Sequence, residues 1–145
     1  MKNHNNLIQK EKFFENRGSI YTLYDYRDHN INFVQDKISK SYQGVIRGFH
    51  GDNSTWKLIS CLDGNDEYAQ SVLVPPRTLN AHQCLSNTCI FHYKWSEYYT
   101  SPEDQWSVYF NDSEINPEWN TDYADIISYR DLNAPSLKEL KNNVL

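Results

Sequence analysis

The sequence predicts an all-β domain, a sandwich or barrel with one short helix near its C-terminus. Three observations predict it. Short runs of β-forming residues recur along the 145-residue chain. Gly, Asn, Asp and Pro clusters punctuate them as turns. The only helix-start signal stands near the end, at Pro135-Ser136-Leu137-Lys138-Glu139, where Ser136 can cap the helix and Glu139 can complete a capping box. No internal repeat or low-complexity linker interrupts the chain, so residues 1–145 read as one domain.

The elements follow in order. Residues 1–14 begin polar and loose, with Lys10-Glu11-Lys12 charged and Phe13-Phe14 apolar. Asn16-Arg17-Gly18 reads as a turn. Residues 19–26, with tyrosines at 21, 24 and 26, read as a strand, as do residues 31–35 and 45–49. Gly51-Asp52-Asn53-Ser54 is a loop. Residues 56–62 form a strand whose alternation puts Lys57, Ile59 and Cys61 on one face. Such a lysine either snorkels to an edge or points into a polar cavity. After a turn at residues 63–66, a short strand over residues 71–74 stops at Pro75-Pro76. Residues 89–95 are a strand with Phe91, Tyr93 and Trp95 on one face and Ile90, His92 and Lys94 on the other. Residues 106–110 make a further strand, ended by Asn111-Asp112, and residues 117–123 are irregular and aromatic.

Composition narrows the function classes. A chain of this length buries roughly 68–70% of its unfolded surface, enough for a real core. Aromatic residues at 14% argue against disorder. A net charge of −5 disfavours a nucleic-acid partner, while leaving room for a local basic pocket. The three cysteines, Cys61, Cys84 and Cys89, form no CxxC pair and suit a reducing compartment. No leader peptide and no membrane-length apolar run is evident, so the expected location is the cytoplasm.

The stretch Gly44-Val45-Ile46-Arg47-Gly48-Phe49-His50 draws the most chemical interest. Arg47 is a permanent cation with a fork of donors, and His50 is a proton shuttle near neutral pH. In an ideal strand the two face opposite sides. If both serve one pocket, the strand must bulge between them, and Gly48 is where that is easiest. Otherwise the stretch is an ordinary strand end, with Arg47 solvated and His50 in a turn.

A set of motifs in fixed order points further. It runs through Glu15-Asn16-Arg17-Gly18, Phe33-Val34-Gln35-Asp36, Gly44 to His50, Trp56-Lys57-Leu58, Pro75-Pro76 and Phe91-His92-Tyr93-Lys94. It continues through Tyr98-Tyr99 with Pro102-Glu103-Asp104, then Asn111-Asp112, then Ile127-Ser128-Tyr129-Arg130-Asp131 with Asn133-Ala134-Pro135. In this order, and nearly end to end, the chain resembles the dTDP-4-dehydrorhamnose 3,5-epimerase family.

The resemblance implies a cupin-type jelly roll, a homodimer, no cofactor, and a nucleotide-linked 4-keto sugar as substrate. It makes His50 the base, Asp131 its orienting carboxylate and Tyr93 the opposing acid. It sets Lys57 and Arg47 near the keto and enolate oxygen, and Arg17 and Gln35 on the nucleotide-sugar. Tyr99 is a candidate for stacking on or lining the pocket. Each has a plainer reading: Asp131 pairs with Arg130 or caps a turn, Tyr93 is a core tyrosine with a bonded hydroxyl, Lys57 is a barrel-mouth cation.

Departures from the family pattern are specific. A second His expected after Pro-Pro is Asn80 here, with His82 two positions on and facing the same way. Thr22 replaces a Glu, Gln105 replaces an acid, and the Gln-Asp-Asn-His pattern becomes Gln35-Asp36-Lys37-Ile38. These suggest a different sugar, nucleotide or set of epimerised carbons. Between Gly64 and Pro75 the family carries a longer interval with an extra strand pair. Residues 65–74, at ~3.3 Å per residue, allow one strand and a turn. With a single His in Gly48-Phe49-His50-Gly51-Asp52, no catalytic metal is expected. A 3,4-ketoisomerase, which pairs two histidines on the active strand, fits less well. A cupin that binds a sugar nucleotide or carbohydrate without turning it over is the remaining alternative.

Overall fold

The structure, a computed structural model, describes residues 6–63 and 67–144. The first five residues of the stretch 1–14, expected to begin loose, and most of the turn at residues 63–66 fall outside them. Ten strands, three short α-helices and one 3-10 turn (Pro102–Asp104) are present among the described residues. They are β1 (Leu7–Glu11), β2 (Phe13–Glu15), β3 (Gly18–Ile20), α1 (Tyr26–His29), β4 (Gln35–Tyr42), β5 (Ile46–Gly51), β6 (Lys57–Cys61), β7 (Tyr68–Val74), β8 (Asn80–Gln83), β9 (Thr88–Trp95), β10 (Trp106–Ser107), α2 (Tyr129–Leu132) and α3 (Leu137–Val144). The chain forms two compact units, each drawn from three separate stretches.

The first unit comprises residues 1–40, 54–75 and 89–99. Its main sheet has the order β1-β7-β6-β9-β4. A two-stranded ribbon, β2 with β3, carries Arg17 at its turn. The shortened interval makes a single strand, β7, as the residue count allows. Both edges of β7 are paired, with β6 on one side and β1 on the other, so the missing strand pair leaves no unpaired edge on β7. Pro75 ends β7 as expected. On one face of the sheet Leu58, Ser60, Ala69 and Ser71 are buried. Ser60 and Ser71 face each other across the ladder and share a 2.7 Å hydrogen bond, which satisfies two hydroxyls that would otherwise be costly to bury.

Three readings of this region change. The expected strand at residues 19–26 stops at Ile20. Asp25 caps the turn α1 through the Arg27 N–H at 3.0 Å, and Tyr24 Oη donates to the Ile31 carbonyl at 2.6 Å. Residues 31–34 run as connection, and the Val34 N–H donates to the Trp95 carbonyl (2.8 Å) just before β4 begins. β4 itself, polar in composition, is built by pairing with β9.

The second unit comprises residues 41–53, 76–88 and 100–145. Its sheet is β10-β5-β8, antiparallel throughout. Ile46, Cys84, Val108 and Phe110 make its core. Strand β10 is shorter than expected, although Val108 continues backbone bonding to Phe49 (3.0 and 3.2 Å). Residue 126 runs beside β5: Ile46 N–H donates to the Ile126 carbonyl at 3.0 Å, and Ile126 N–H to Gly44 at 3.1 Å. That contact delivers the chain to α2. Asp112, buried, accepts from the N–H groups of Glu114, Ile115 and Leu137 (2.9, 3.1 and 2.9 Å), fastening α3 to the preceding turn. The capping box forms: Glu139 N–H donates to Ser136 Oγ (3.2 Å), and Ser136 N–H to the Glu139 carboxylate (2.8 Å).

Candidate active site

In the second unit, the register of β5 against β8 carries the argument. Arg47 stands opposite His82 and His50 opposite Asn80. Three steps along β5 match two along β8, so one residue is extra in β5, and the ladder shifts between Arg47 and His50. The bulge brings Arg47 and His50 to one face of the sheet, with Asn80 and His82 beside them. Gly48 makes it possible. Its φ is +125°, and a Cβ there would lie 2.5 Å from Ala81 Cβ and 2.7 Å from the Asn80 carbonyl oxygen.

His50 is joined to Asp131, its Nε2 lying 2.6 Å from Oδ1. The other carboxylate oxygen, Oδ2, accepts the Gly48 N–H at 3.3 Å. Asp131 sits on α2, whose N-cap Ser128 accepts the Asp131 N–H through Oγ at 3.1 Å. Burial works to raise the Asp131 pKa. The hydrogen bond and charge of His50, then the Gly48 N–H and Ser128, outweigh it and hold the carboxyl below its ordinary range. An ionised carboxylate only accepts, so Nε2–H of His50 donates and Nδ1 is the basic nitrogen of the neutral ring. Arg130 does not compete for Asp131. Its guanidinium donates to the carbonyls of Pro102 (2.8 Å) and Gln105 (3.3 Å).

Around His50 the face is rich in donors. Arg47 Nε donates to buried Ser41 Oγ at 2.9 Å. Burial, with the nearby charges of Arg47 and His50, pushes the His82 pKa down to about 4, so that imidazole is neutral at physiological pH. Ser107 pairs with His50 across β10, and Gln105, two residues earlier, shares its face. Ser107 Oγ and Gln105 Nε2 are buried and have no hydrogen-bond partner among the described residues. Sequence reasoning missed Ser107, because only the β5–β10 register assigns it to His50.

In the first unit, β6 and β9 pair Lys57 with Trp95 and Ile59 with Tyr93. Directly opposed residues share a face, so the two alternations expected from the sequence combine into one face bearing Lys57, Tyr93 and Trp95. Lys57 is 3% exposed, which rules out snorkelling, and its Nζ lies 4.9 Å from the Trp95 ring centroid. Tyr93 Oη is 3.3 Å from Ser39 Oγ. The Gln35 amide is occupied at both ends by the backbone of Tyr99: Tyr99 N–H donates to Oε1 at 2.8 Å, and Nε2 donates to the Tyr99 carbonyl at 3.3 Å. Gln35 therefore holds the Tyr99 backbone, and the Tyr99 ring packs on Trp95 at 5.2 Å between centroids. Arg17 is exposed on the ribbon turn and pairs with Glu15.

Among the described residues, no group of three or more His, Cys, Asp or Glu side chains is placed to hold a metal ion, and no helix is long and apolar enough to cross a membrane. The three cysteines are unbridged.

Comparison with known proteins adds to this geometry. The family profile described as dTDP-4-dehydrorhamnose 3,5-epimerase matches residues 4–66 and 65–139. The two pieces meet at the shortened interval. The chain is 26% identical to the dTDP-4-dehydrorhamnose 3,5-epimerase of Salmonella typhimurium, covering 92% of this chain and 90% of that protein. It is 32% identical to the crystal structure of the Elizabethkingia anophelis enzyme of the same name, with a TM-score of 0.76 over 92% of this chain and 91% of that one. A Legionella pneumophila epimerase, crystallised with dTDP-4-keto-L-rhamnose, matches at a TM-score of 0.85 and 21% identity, covering 99% of this chain and 94% of that one. The fold is the cupin-type jelly roll expected from the sequence.

Proposed function

The chain belongs to the dTDP-4-dehydrorhamnose 3,5-epimerase family, and we propose that it epimerises a nucleotide-linked 4-keto sugar at C3, C5 or both. The 4-keto group acidifies the protons on C3 and C5. His50 Nδ1 takes one, the C–H electron pair moves onto the C4 oxygen as an enolate, and Tyr93 Oη returns a proton to the carbon from the other side. Asp131 holds the ring and balances the imidazolium as it forms. Arg47 and Lys57 meet the charge growing on the C4 oxygen. Arg17, Gln35, Asn80 and Tyr99 bind the substrate, Gln35 by holding Tyr99. No cofactor is needed, since the carbonyl of the substrate is itself the electron sink.

The observation that carries this reading is the 2.6 Å bond between His50 and an ionised, buried Asp131. A module that only binds a sugar nucleotide has no use for an oriented base, which disfavours the non-catalytic alternative. The dTDP-4-keto-L-rhamnose bound to the Legionella pneumophila epimerase supports the substrate class. The protein acts in the cytoplasm, as its unbridged thiols suggest, and as a homodimer. Exposed Phe13, Phe14 and Ile20 on the β2–β3 ribbon are apolar surface that a second copy would cover. Residues 1–145 act as one domain, since neither unit is continuous in sequence.

The test is to incubate the protein with a panel of nucleotide-linked 4-keto sugars and identify the product epimers by NMR. Wild type is expected to form one or two epimers, with His50→Asn and Tyr93→Phe reduced by at least 100-fold. Binding without epimer formation from any substrate overturns the proposal.

A further inference from the structure

Strand β4 is polar, yet alternate residues along it meet residues of the proposed site. Gln35 holds the Tyr99 backbone at 2.8 and 3.3 Å. Lys37 Nζ lies 3.4 Å from the Tyr99 ring centroid. Ser39 Oγ lies 3.3 Å from Tyr93 Oη. Side chains two apart on a strand share a face, so residues 35, 37 and 39 form one row. The catalytic scheme above makes Tyr93 the acid and gives Ser39 no task.

The direction of the Ser39–Tyr93 hydrogen bond decides what Ser39 does. The distance admits either oxygen as donor, but a phenol has one proton. If Tyr93 gave it to Ser39, that proton would point away from the sugar, and the acid would have to break a bond before acting. With Ser39 donating, the phenolic proton is left for the carbon. A second effect follows from charge. Proton transfer leaves Tyr93 as a phenolate, whose oxygen draws a charge-assisted hydrogen bond from Ser39 at about 2.5–2.7 Å. The neutral pair, at 3.3 Å, is longer than the ~2.7–2.8 Å usual between hydroxyls. The contact is therefore weak before reaction and strengthens as charge reaches Tyr93. Only interactions that grow towards the transition state speed the step. Ser39 and Tyr93 are both half-buried, where solvent weakens such a bond less than at the surface.

We propose that Ser39 is a positioning residue for the acid: its hydroxyl donates to Tyr93 Oη, turning the phenolic proton towards the sugar and holding the phenolate left behind. The enolate carbon's electron pair takes the proton, the Tyr93 O–H bond breaks, and the negative charge passes from enolate to phenolate. The Ser39 proton stays on Oγ. The His50 imidazolium then gives a proton to solvent and the Tyr93 phenolate takes one from it, which closes the cycle. The inference deepens the epimerase reading and rests on Tyr93 as its acid.

The test follows both fates of the enolate. A nucleotide-linked 4-keto sugar in heavy water is treated with wild type, Ser39→Ala, Ser39→Val and Ser39→Thr, with thermal melting as the check on folding. NMR reads deuterium in the unconverted sugar, which forms by return from His50, and in the epimer, which forms by delivery from Tyr93. Loss of the hydroxyl in the Ala and Val variants is expected to lower kcat about 10-fold or more, with KM within about threefold of wild type. The ratio of deuterated starting sugar to epimer is expected to rise by a factor of about five or more in both. Ser39→Thr, the same shape as Val but with a hydroxyl, is expected to stay within about threefold of wild type in kcat and in the ratio. An unchanged ratio in the Ala and Val variants overturns the proposal; a fall in kcat alone would mark a structural role.

A measurement on the free protein keeps this apart from the epimerase reading. With tyrosine labelled by 13C at ring Cζ and the Tyr93 signal assigned from Tyr93→Phe, Ser39→Ala is expected to move the Tyr93 titration up by about half a pH unit or more, because a donor favours the phenolate. Lys37 and Lys57 are present in both proteins, so the difference reads Ser39. A wild type that turns over no sugar but shows this difference refutes the epimerase and leaves the hydrogen bond standing. No turnover and no difference refutes both. An active wild type with an unchanged deuterium ratio in the variants refutes the role of Ser39 alone.

Discussion

Acidification tests the environment of His82. In the folded protein burial, then the charges of Arg47 and His50, lower its pKa from 6.5 to about 4. The unfolded chain carries His82 in water at its ordinary value. Between those values the unfolded state binds a proton that the folded state does not, so stability falls as pH falls from 6.5 towards 4. At ~1.36 kcal/mol for each pH unit of difference, the loss from His82 between pH 7.5 and pH 4.5 is about 2.5 kcal/mol. Urea unfolding at the two pH values, for wild type and His82→Gln, isolates this contribution from those of the carboxylates. The variant is expected to lose about 2.5 kcal/mol less than wild type over the same interval. An equal loss in both proteins, or an NMR titration of the His82 ring near pH 6.5, would refute the reasoning. A neutral His82 matters to the site because a second imidazolium beside Arg47 and His50 would oppose proton uptake by His50.

Gly48→Ala places a Cβ 2.5 Å from Ala81 Cβ at a φ of +125°. It is expected to cost about 2–4 kcal/mol, seen as a fall in Tm of at least 5 °C; an unchanged Tm contradicts the bulge. Asp131→Asn keeps an acceptor for His50 but removes the charge, and loss of a charge-assisted bond worth about 1.5–3 kcal/mol should lower kcat about 10- to 150-fold with little change in KM. Undiminished kcat would return Asp131 to a purely structural role. Ser107→Ala deletes a buried hydroxyl with no partner among the described residues, so stability should hold within about 1 kcal/mol while KM for the sugar rises; a destabilised variant with unchanged KM would count against a ligand contact.

Local chemistry makes some features legible in the sequence itself. The Ser136–Glu139 capping box and the stop at Pro75 need only turn and cap chemistry. The bulge at Gly48 follows from asking how Arg47 and His50 could share a face. The ten residues 65–74 can hold one strand, and one strand forms. Other features depend on partners distant in sequence. β4 has the polar run Asp36-Lys37-Ile38-Ser39-Lys40 and becomes a strand because β9 pairs with it. The tyrosines at 21, 24 and 26 favour a strand by propensity, but Asp25 caps a helical turn instead. Asp131 sits on a four-residue helix too short to leave a periodic signature, and only the order of family motifs marks it. That β8 sets Asn80 opposite His50 and His82 opposite Arg47 is a matter of register, which no single strand specifies.

The central claim is that His50 abstracts a carbon-bound proton next to the sugar's carbonyl. Its most direct test is solvent exchange: wild type and His50→Asn are held in heavy water with a nucleotide-linked 4-keto sugar, and deuterium at C3 and C5 is followed by NMR. Deuterium entering at one or both carbons with wild type and absent with His50→Asn is the predicted result. Exchange that persists at the wild-type rate in a folded His50→Asn protein would contradict it.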